Sequence, residues 1–240
     1  MSGHSKWATI KRAKGTTDAK RGAAFTRLTR EIAQSAKEGG GNPDTNFRLR
    51  LAVEKARAAN MPKDNIERAI NRATGVGDDA ASFEELMYEG YGPAKVPFMI
   101  KVLTDNRNRT VADVRKTLQK AGGQLGEGGS VGWQFARKGY ITVEKKAAGD
   151  FDAIFELALE AGAEDIKDGE DQIEVITEVE ALRPVREALV AKKYHITNAE
   201  ISYLPSTSAE LGDHDIERVA NAVDALEELD DVQQVYTNMQ

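Results

Sequence analysis

The chain has 240 residues, of which 40% are hydrophobic and 30% charged, so it is too long for one ordinary core and too apolar for a disordered polyampholyte. The sequence contains no cysteine, which excludes disulfides, thiolate catalysis and cysteine-ligated metal sites. No apolar run approaches the roughly 18 residues of a bilayer-spanning helix, and the N-terminus lacks the apolar core of a secretory signal. We therefore expect a cytoplasmic protein with no membrane partner.

The formal net charge of −6 is divided unevenly along the chain. Residues 1–75 hold 16 basic and 7 acidic side chains, a balance of +9, whereas residues 76–240 hold 17 basic and 32 acidic ones, a balance of −15. This separation indicates a protein that binds a polyanion at one end, because the acidic remainder repels phosphate. The alternative is that basic helices pack against acidic domains of the same chain.

Residues 1–78 are predicted to form a basic domain of three helices. Apolar residues at helical spacing predict helices over Asp18–Glu38 and from about Asn46 to Asn60. Pro62 suits the first turn of a third helix, and Gly75 ends it. The basic residues predicted to lie away from the apolar faces of the first two helices include Lys20, Arg27, Arg30, Arg50 and Arg57.

The periodicity then changes to that of strands. Phe83–Tyr91 and Pro97–Thr104 are predicted strands, separated by a turn rich in glycine. Thr110 and Asp113 have the spacing of a capping box and predict a helix that begins at Thr110. A further strand is predicted at Val131–Phe135.

Residues 136–204 show the element order strand, helix, strand, strand, helix, strand, which predicts a ferredoxin-like unit. The helix and strand within residues 205–240 are too small to stand alone, so we expect them to join residues 79–135 in one α/β domain. The predicted fold class is therefore α+β: an N-terminal three-helix domain followed by two α/β domains, the last a ferredoxin-like βαββαβ insertion within the other.

The N-terminal arm is the leading candidate site, because phosphate binding needs cations at high density. Trp7 lies within it and could stack on a base or fill the helical core. No base-reading helix is recognisable, so contacts to the phosphate backbone are expected, and the target could be DNA or a structured ribosomal or transfer RNA. The predicted nucleic-acid contacts are Lys6, Lys11, Arg12, Lys14, Lys20, Arg21, Arg27, Arg30, Arg50 and Arg57.

A glycine-rich segment follows the capped helix. It lacks the Gly-Lys-Ser/Thr ending of a nucleotide-binding loop, so it is interpreted either as a loop that contacts a partner or as a tight chain reversal. Its candidate partner residues are Gln124, Gly126, Gly128, Gly129 and Ser130.

The sequence shows no catalytic constellation. Asp105 to Arg109 is interpreted as an ion-paired turn, and the three histidines are too far apart for a metal site. We therefore expect a non-enzyme without metal or cofactor. An enzyme with its site in an interdomain cleft is the remaining alternative.

Several motifs resemble the YebC/PmpR family, over long ungapped stretches that together span the chain to Phe135. The motifs are Gly3-His4-Ser5-Lys6-Trp7, Asp18-Ala19-Lys20-Arg21-Gly22, Phe25-Thr26, Gly39-Gly40-Gly41-Asn42-Pro43, Asn60-Met61-Pro62-Lys63-Asp64-Asn65-Ile66-Glu67-Arg68-Ala69-Ile70, Tyr88-Glu89-Gly90-Tyr91-Gly92-Pro93 and Leu103-Thr104-Asp105-Asn106-Arg107-Asn108-Arg109-Thr110. Beyond Phe135 the resemblance is one of layout.

The resemblance implies a helical N-terminal domain and two α/β domains. It also implies a function in gene expression: bacterial members are described as probable DNA-binding transcriptional regulators, whereas mitochondrial relatives are described as translational activators and bacterial members are also discussed as ribosome-associated. The chain departs from the family at Lys14-Gly15-Thr16-Thr17, where alanine and glutamine are typical, and at Ala94-Lys95, where a glycine pair is common.

Overall fold

The computed structural model describes residues 18–75, 83–145 and 151–239. The chain divides into two compact units, of which the smaller is formed by residues 134–208. The larger contains the helices of the N-terminal part, the residues up to 133 and residues 209–239. The three-domain boundaries at residues 78, 135 and 204 stay predictions.

Seven α-helices and eight strands occur within the described residues. The helices are α1 (Asp18–Gly39), α2 (Phe47–Ala58), α3 (Lys63–Thr74), α4 (Arg107–Lys120), α5 (Phe151–Glu160), α6 (Leu182–Ala191) and α7 (Asp213–Glu227). The strands are β1 (Glu84–Tyr91), β2 (Pro97–Thr104), β3 (Gln124–Leu125), β4 (Phe135–Glu144), β5 (Ala163–Asp168), β6 (Gln172–Thr177), β7 (Ile196–Pro205) and β8 (Val232–Thr237).

Helices α1 to α3 bury one apolar face each in a common core, which includes Ile32, Leu49 and Ile66. Asn46 fixes the connection between α1 and α2. Its side-chain oxygen caps α2 by accepting from the Leu49 amide at 3.1 Å, while its side-chain nitrogen donates to the Ser35 carbonyl at 2.7 Å. The buried Asn46 amide therefore satisfies backbone groups at the ends of two helices at once.

The first sheet belongs to the larger unit and has the strand order β3-β1-β2-β8, with all neighbours antiparallel. β2 is its most buried strand, as the near-continuous apolar run Pro97–Thr104 requires of a central strand. Its partner β8 comes from the end of the chain, so residues about 130 positions apart in sequence complete one sheet.

The second sheet lies in the smaller unit and has the order β5-β6-β4-β7, again antiparallel throughout. With α5 and α6 as its connections, this order is that of the predicted ferredoxin-like unit. Ile141 and Val175 are fully buried in it. The α+β fold class is therefore confirmed.

Two local predictions are wrong. Helix α4 begins at Arg107 and is capped by Asn106, whose side chain accepts from the Arg109 amide at 3.1 Å, so Thr110 lies inside the helix and is buried. The predicted strand Val131–Phe135 is a 3₁₀ turn followed by β4, because the amides of residues 131 and 132 bind a side-chain carboxylate instead of a neighbouring strand.

The turn between β1 and β2 explains one departure from the family. Ala94 and Lys95 have φ values of 53° and 59°, the left-handed region that costs an L-residue roughly 1–2 kcal/mol. Glycine adopts this conformation without a Cβ clash, which is the physical reason why a glycine pair suits these two positions.

Replacing Ala94 and Lys95 with glycine should stabilise the protein by about 0.5–1 kcal/mol per site, less than the full strain because glycine gains entropy in the unfolded chain. Thermal unfolding should report a rise of about 2–4 °C per kcal/mol. Ala121→Gly is the matched control, since Ala121 has φ −77° and no strain to relieve, and it should not raise the midpoint. An unchanged or lower midpoint for A94G/K95G would show that the turn is not strained.

Candidate nucleic-acid interface

The structure sorts the ten predicted nucleic-acid contacts into groups. Lys6, Lys11, Arg12 and Lys14 lie outside the described residues. Lys20 and Arg21 occupy the first turn of α1. The other four, Arg27, Arg30, Arg50 and Arg57, lie within α1 and α2 and have defined surroundings.

Arg27 and Arg30 do not lie on a solvent-facing surface, which corrects the expectation from the helical spacing. Arg27 donates to the Glu227 carbonyl at the end of α7, and Arg30 donates to the Asp230 carbonyl at 2.7 Å. The Arg30 guanidinium also lies 5.5 Å from the centre of the Phe83 ring. Both arginines therefore join α1 to the segment that connects α7 with β8.

Arg50 and Arg57 of α2 have different surroundings. The half-buried Arg50 donates to the carbonyls of Pro43 at 3.0 Å and Asp44 at 2.6 Å, which fixes the loop before α2. Arg57 is exposed and lies in the last turn of α2. Arg72 of α3 is exposed as well and is absent from the predicted contacts, although its place in the last turn of an amphipathic helix could have indicated it.

Asp231 is the centre of the polar contacts between α1 and the first sheet. Its buried carboxylate accepts from Arg30, from Arg109 at 2.8 Å and from the hydroxyls of Thr110 at 2.6 Å and Thr104 at 3.2 Å. Burial alone would raise the pKa of Asp231, but the hydrogen bonds from Thr110, Arg109 and Arg30 outweigh it and hold the pKa below its ordinary value of 3.8. Thr110, predicted as a helix cap, donates a hydrogen bond to this carboxylate instead.

An open cleft of about 530 Å³ lies over this cluster. Arg30 and Arg109 contribute its positive charge, and Arg109 also pairs with Asp105 at 2.8 Å, as expected for an ion-paired turn. Acidic residues outnumber the arginines, so the cleft repels phosphate. They are Asp105, Asp113, Glu228, Asp230 and Asp231.

The glycine-rich loop is fixed to β1 by Glu89. The Glu89 carboxylate accepts from the amides of Gly129 at 2.9 Å, Val131 at 2.8 Å and Gly132 at 2.7 Å. Burial alone would raise the pKa of Glu89, but these three donors outweigh it and hold the pKa below its ordinary value. Gly129 has φ +87°, a conformation that favours glycine at the tip of the loop.

The five candidate partner residues are close together in this loop. Gln124 belongs to β3 and pairs with Tyr91, while residues from Gly126 to Gly129 are exposed. Glu89 itself gave no signal in the sequence, since nothing local shows that a strand glutamate binds amides 40 residues away.

The helical N-terminal part, the first sheet and the ferredoxin-like unit define an α+β protein with a basic first domain. A family described as the TACO1/YebC protein N-terminal domain matches residues 5–76, and one described as the TACO1/YebC second and third domain matches residues 83–239. The chain belongs to the TACO1/YebC family.

Relatives and a solved structure are similar over nearly the whole chain. A protein of Chloroherpeton thalassium is 53% identical over 100% of this chain and 96% of its own length, and one of Trichlorobacter lovleyi is 50% identical over 99% and 95%. Both are named "Probable transcriptional regulatory protein". The crystal structure of a conserved hypothetical protein, Aq1575 of Aquifex aeolicus, is 43% identical, covers 93% of this chain and 91% of its own, and superposes with a TM-score of 0.83.

Replacing Asp231 with asparagine keeps the shape of the side chain and removes its charge. We expect D231N to lower the free energy of unfolding near neutral pH by about 2–3 kcal/mol, because hydrogen bonds to a charged acceptor contribute about 1.5–3 kcal/mol each but Arg109 is half exposed. Urea unfolding would measure the difference.

The pH dependence of this difference follows from the lowered pKa of Asp231. A carboxylate with a lowered folded-state pKa contributes its full stability above its unfolded pKa and loses it as the pH falls through the folded value. The gap between wild type and D231N should therefore be constant above about pH 5 and shrink below about pH 4. Asp105→Asn, which removes an exposed partner of the same arginine, should cost less than about 1 kcal/mol. A gap that persists undiminished in acid would refute the ionised network.

Proposed function

We propose that the chain is a non-enzymatic, cytoplasmic regulator of gene expression that binds nucleic acid through its basic N-terminal domain. The observation that carries the proposal is the division of charge, with +9 in residues 1–75 and −15 in the remainder. A cationic region on an acidic body favours one orientation on a polyanion, because the acidic remainder of the chain has a net charge that repels phosphate.

The contacts of the arginines reduce the number of residues that we propose as phosphate contacts. Arg27 and Arg30 donate to carbonyls and a carboxylate of the same chain, so we assign them to the attachment of α1 and not to phosphate. The proposed phosphate contacts are then the basic residues of the N-terminal arm and of the first turn of α1, with Arg57 on α2. Arg50 is a secondary candidate because its guanidinium already fixes a loop.

Relatives named as probable transcriptional regulatory proteins support DNA as the first candidate target. The sequence of the N-terminal part shows no recognition helix. We therefore propose that its basic side chains contact the phosphate backbone of the nucleic acid, with little preference for base sequence. In the part of the chain that the structure describes, no helix has the length and apolar character needed to cross a bilayer.

A translation factor that binds ribosomal or transfer RNA through the same domain is the second candidate. The lack of a base-reading helix favours it, because RNA is recognised largely by shape, phosphate contacts and stacking on unpaired bases. The exposed glycine-rich loop, fixed to β1 by Glu89, is the second surface that such a factor would use.

Replacing Lys11, Arg12, Lys20 and Arg21 with alanine should remove up to four phosphate contacts. The slope of log affinity against log salt on duplex DNA should then fall by up to about 3.6, with equal losses for unrelated sequences. Fluorescence anisotropy across a salt series would measure both quantities.

The control for this variant removes the same charge elsewhere. Replacing the exposed Arg115, Lys116, Lys120 and Lys192 with alanine also lowers the net charge by four, and it should leave the salt slope unchanged. An equal fall in slope for both variants would mean that net charge and not the N-terminal domain governs binding. A loss confined to one DNA sequence would reveal base readout.

The two candidate targets predict different behaviour in cells. A translation factor should migrate with ribosomes in a sucrose gradient at low salt and leave them at high salt, as electrostatic contacts to RNA require. The four-alanine variant of the N-terminal domain should not migrate with ribosomes under either condition. A wild-type protein that stays at the top of the gradient at low salt would contradict the translation candidate and leave the DNA candidate.

A further inference from the structure

Two aromatic side chains of the larger unit are exposed next to the glycine-rich loop. Trp133 is 76% exposed and Tyr91 is 38% exposed. The large apolar surface of a tryptophan stabilises a fold when it is buried, and most of the Trp133 surface is not buried. A role in the hydrophobic core therefore does not explain why a tryptophan occupies this position.

One carbonyl oxygen holds both side chains. The Tyr91 hydroxyl donates to the Ser130 carbonyl at 3.2 Å, and the Trp133 indole N–H donates to the same oxygen at 3.3 Å. The polar atoms of the two rings therefore converge on a single atom, which places the two side chains beside each other. We refer to Tyr91 and Trp133 as the aromatic pair.

The support of the aromatic pair is fixed on both sides. The Glu89 carboxylate binds the amides of Gly129, Val131 and Gly132, and the Val131 side chain is fully buried just before the exposed indole. Glu89 and Tyr91 belong to the same strand, whose end is paired with β3. The rings are thus presented on an ordered support, and ligand binding need not first order the loop.

The residues beside the pair favour one kind of ligand over others. Residues 126–130 are Gly-Glu-Gly-Gly-Ser, so no apolar side chain of this stretch surrounds the rings as it would in a protein–protein hot spot. The indole N–H is already used within the chain, which leaves the ring faces for contact. Glu127 repels phosphate, so a nucleic acid would be met at a base and not at its backbone.

We propose that Trp133 and Tyr91 form a stacking site for an unpaired base of RNA. The proposal rests on the nucleic-acid binding proposed above: the basic N-terminal domain supplies the phosphate contacts, and the aromatic pair supplies a contact that duplex DNA cannot make. Stacking on an exposed aromatic ring requires a base outside a helix, and RNA loops and bulges are the usual source of such bases. Glu89 is a positioning residue for this site, because it binds the loop and not the ligand.

The sequence contains two tryptophans, so Trp7→Phe in the full chain leaves Trp133 as the sole indole. Titration with a single-stranded adenine-rich RNA of about a dozen nucleotides should quench the emission of Trp133 in parallel with binding, measured by anisotropy of a labelled RNA. Trp133→Ala should weaken that binding by about 5-fold to about 100-fold, and Trp133→Phe, which keeps a ring, by less. Duplex DNA should bind without quenching.

Phe155→Ala is the matched control, because Phe155 is as exposed as Tyr91 but lies on α5 of the other unit, and it should leave the RNA affinity unchanged. If Trp7→Phe does not fold, the quenching is read as the difference between wild type and Trp133→Phe.

Each outcome separates the stacking site from the proposed function. RNA binding with unchanged Trp133 emission and unchanged affinity of Trp133→Ala would overturn the stacking site and leave nucleic-acid binding intact. Equal quenching by single-stranded DNA would overturn the assignment to RNA. Failure to bind either nucleic acid would overturn the proposed function together with the stacking site.

Discussion

The carboxylate of Asp231 is the interaction on which the arrangement of the larger unit depends. It receives one arginine from α1, one from α4 and two threonine hydroxyls from the end of β2 and the first turn of α4. Its own backbone carbonyl accepts from the Leu103 amide at 2.8 Å, so the residue is tied to β2 through both main chain and side chain. A buried charge is tolerated only when its partners are complete, and here the partners come from three different elements, α1, β2 and α4. The same requirement explains why Arg30 faces the sheet.

Much of the fold could be predicted because its elements follow local rules. Pro97–Thr104 and Gln172–Thr177 are strands at the bounds that their apolar runs indicate, and the strand–helix order of residues 136–204 is enough to specify a ferredoxin-like sheet. The resemblance to the YebC/PmpR family also agrees with the matched family. In these cases the residues that determine the structure are neighbours in sequence, or the connections between strands are short.

The candidate site was harder to predict because its determinants are distant in sequence. A helical wheel assigns α1 one buried face, but α1 has two: Ile32 faces its own domain and Arg30 faces the sheet. Asparagine and threonine both cap helices often, so the sequence does not decide between Asn106 and Thr110. The position of Asp231 decides it, because Thr110 is buried against that carboxylate and Asn106 is the cap. Glu89 likewise binds a loop about 40 residues further along the chain. Such pairings are determined by the tertiary fold, whereas the spacing and propensities of residues along the sequence indicate only local structure.

The sequence separation of Arg30 and Asp231 has a consequence for biosynthesis. The two residues are 201 positions apart, so at about 5–20 residues per second the arginine is synthesised roughly 10–40 s before its carboxylate partner exists. Strand β8, which completes the first sheet, is made even later, immediately after Asp231. During that interval the β2 edge that pairs with β8 is open, and Arg27 and Arg30 lack their partners at Glu227 and Asp231, although the three-helix core can already form from residues made first. Until residues 231–237 are synthesised, the nascent chain therefore has an unpaired strand edge on β2 and an arginine without its carboxylate partner.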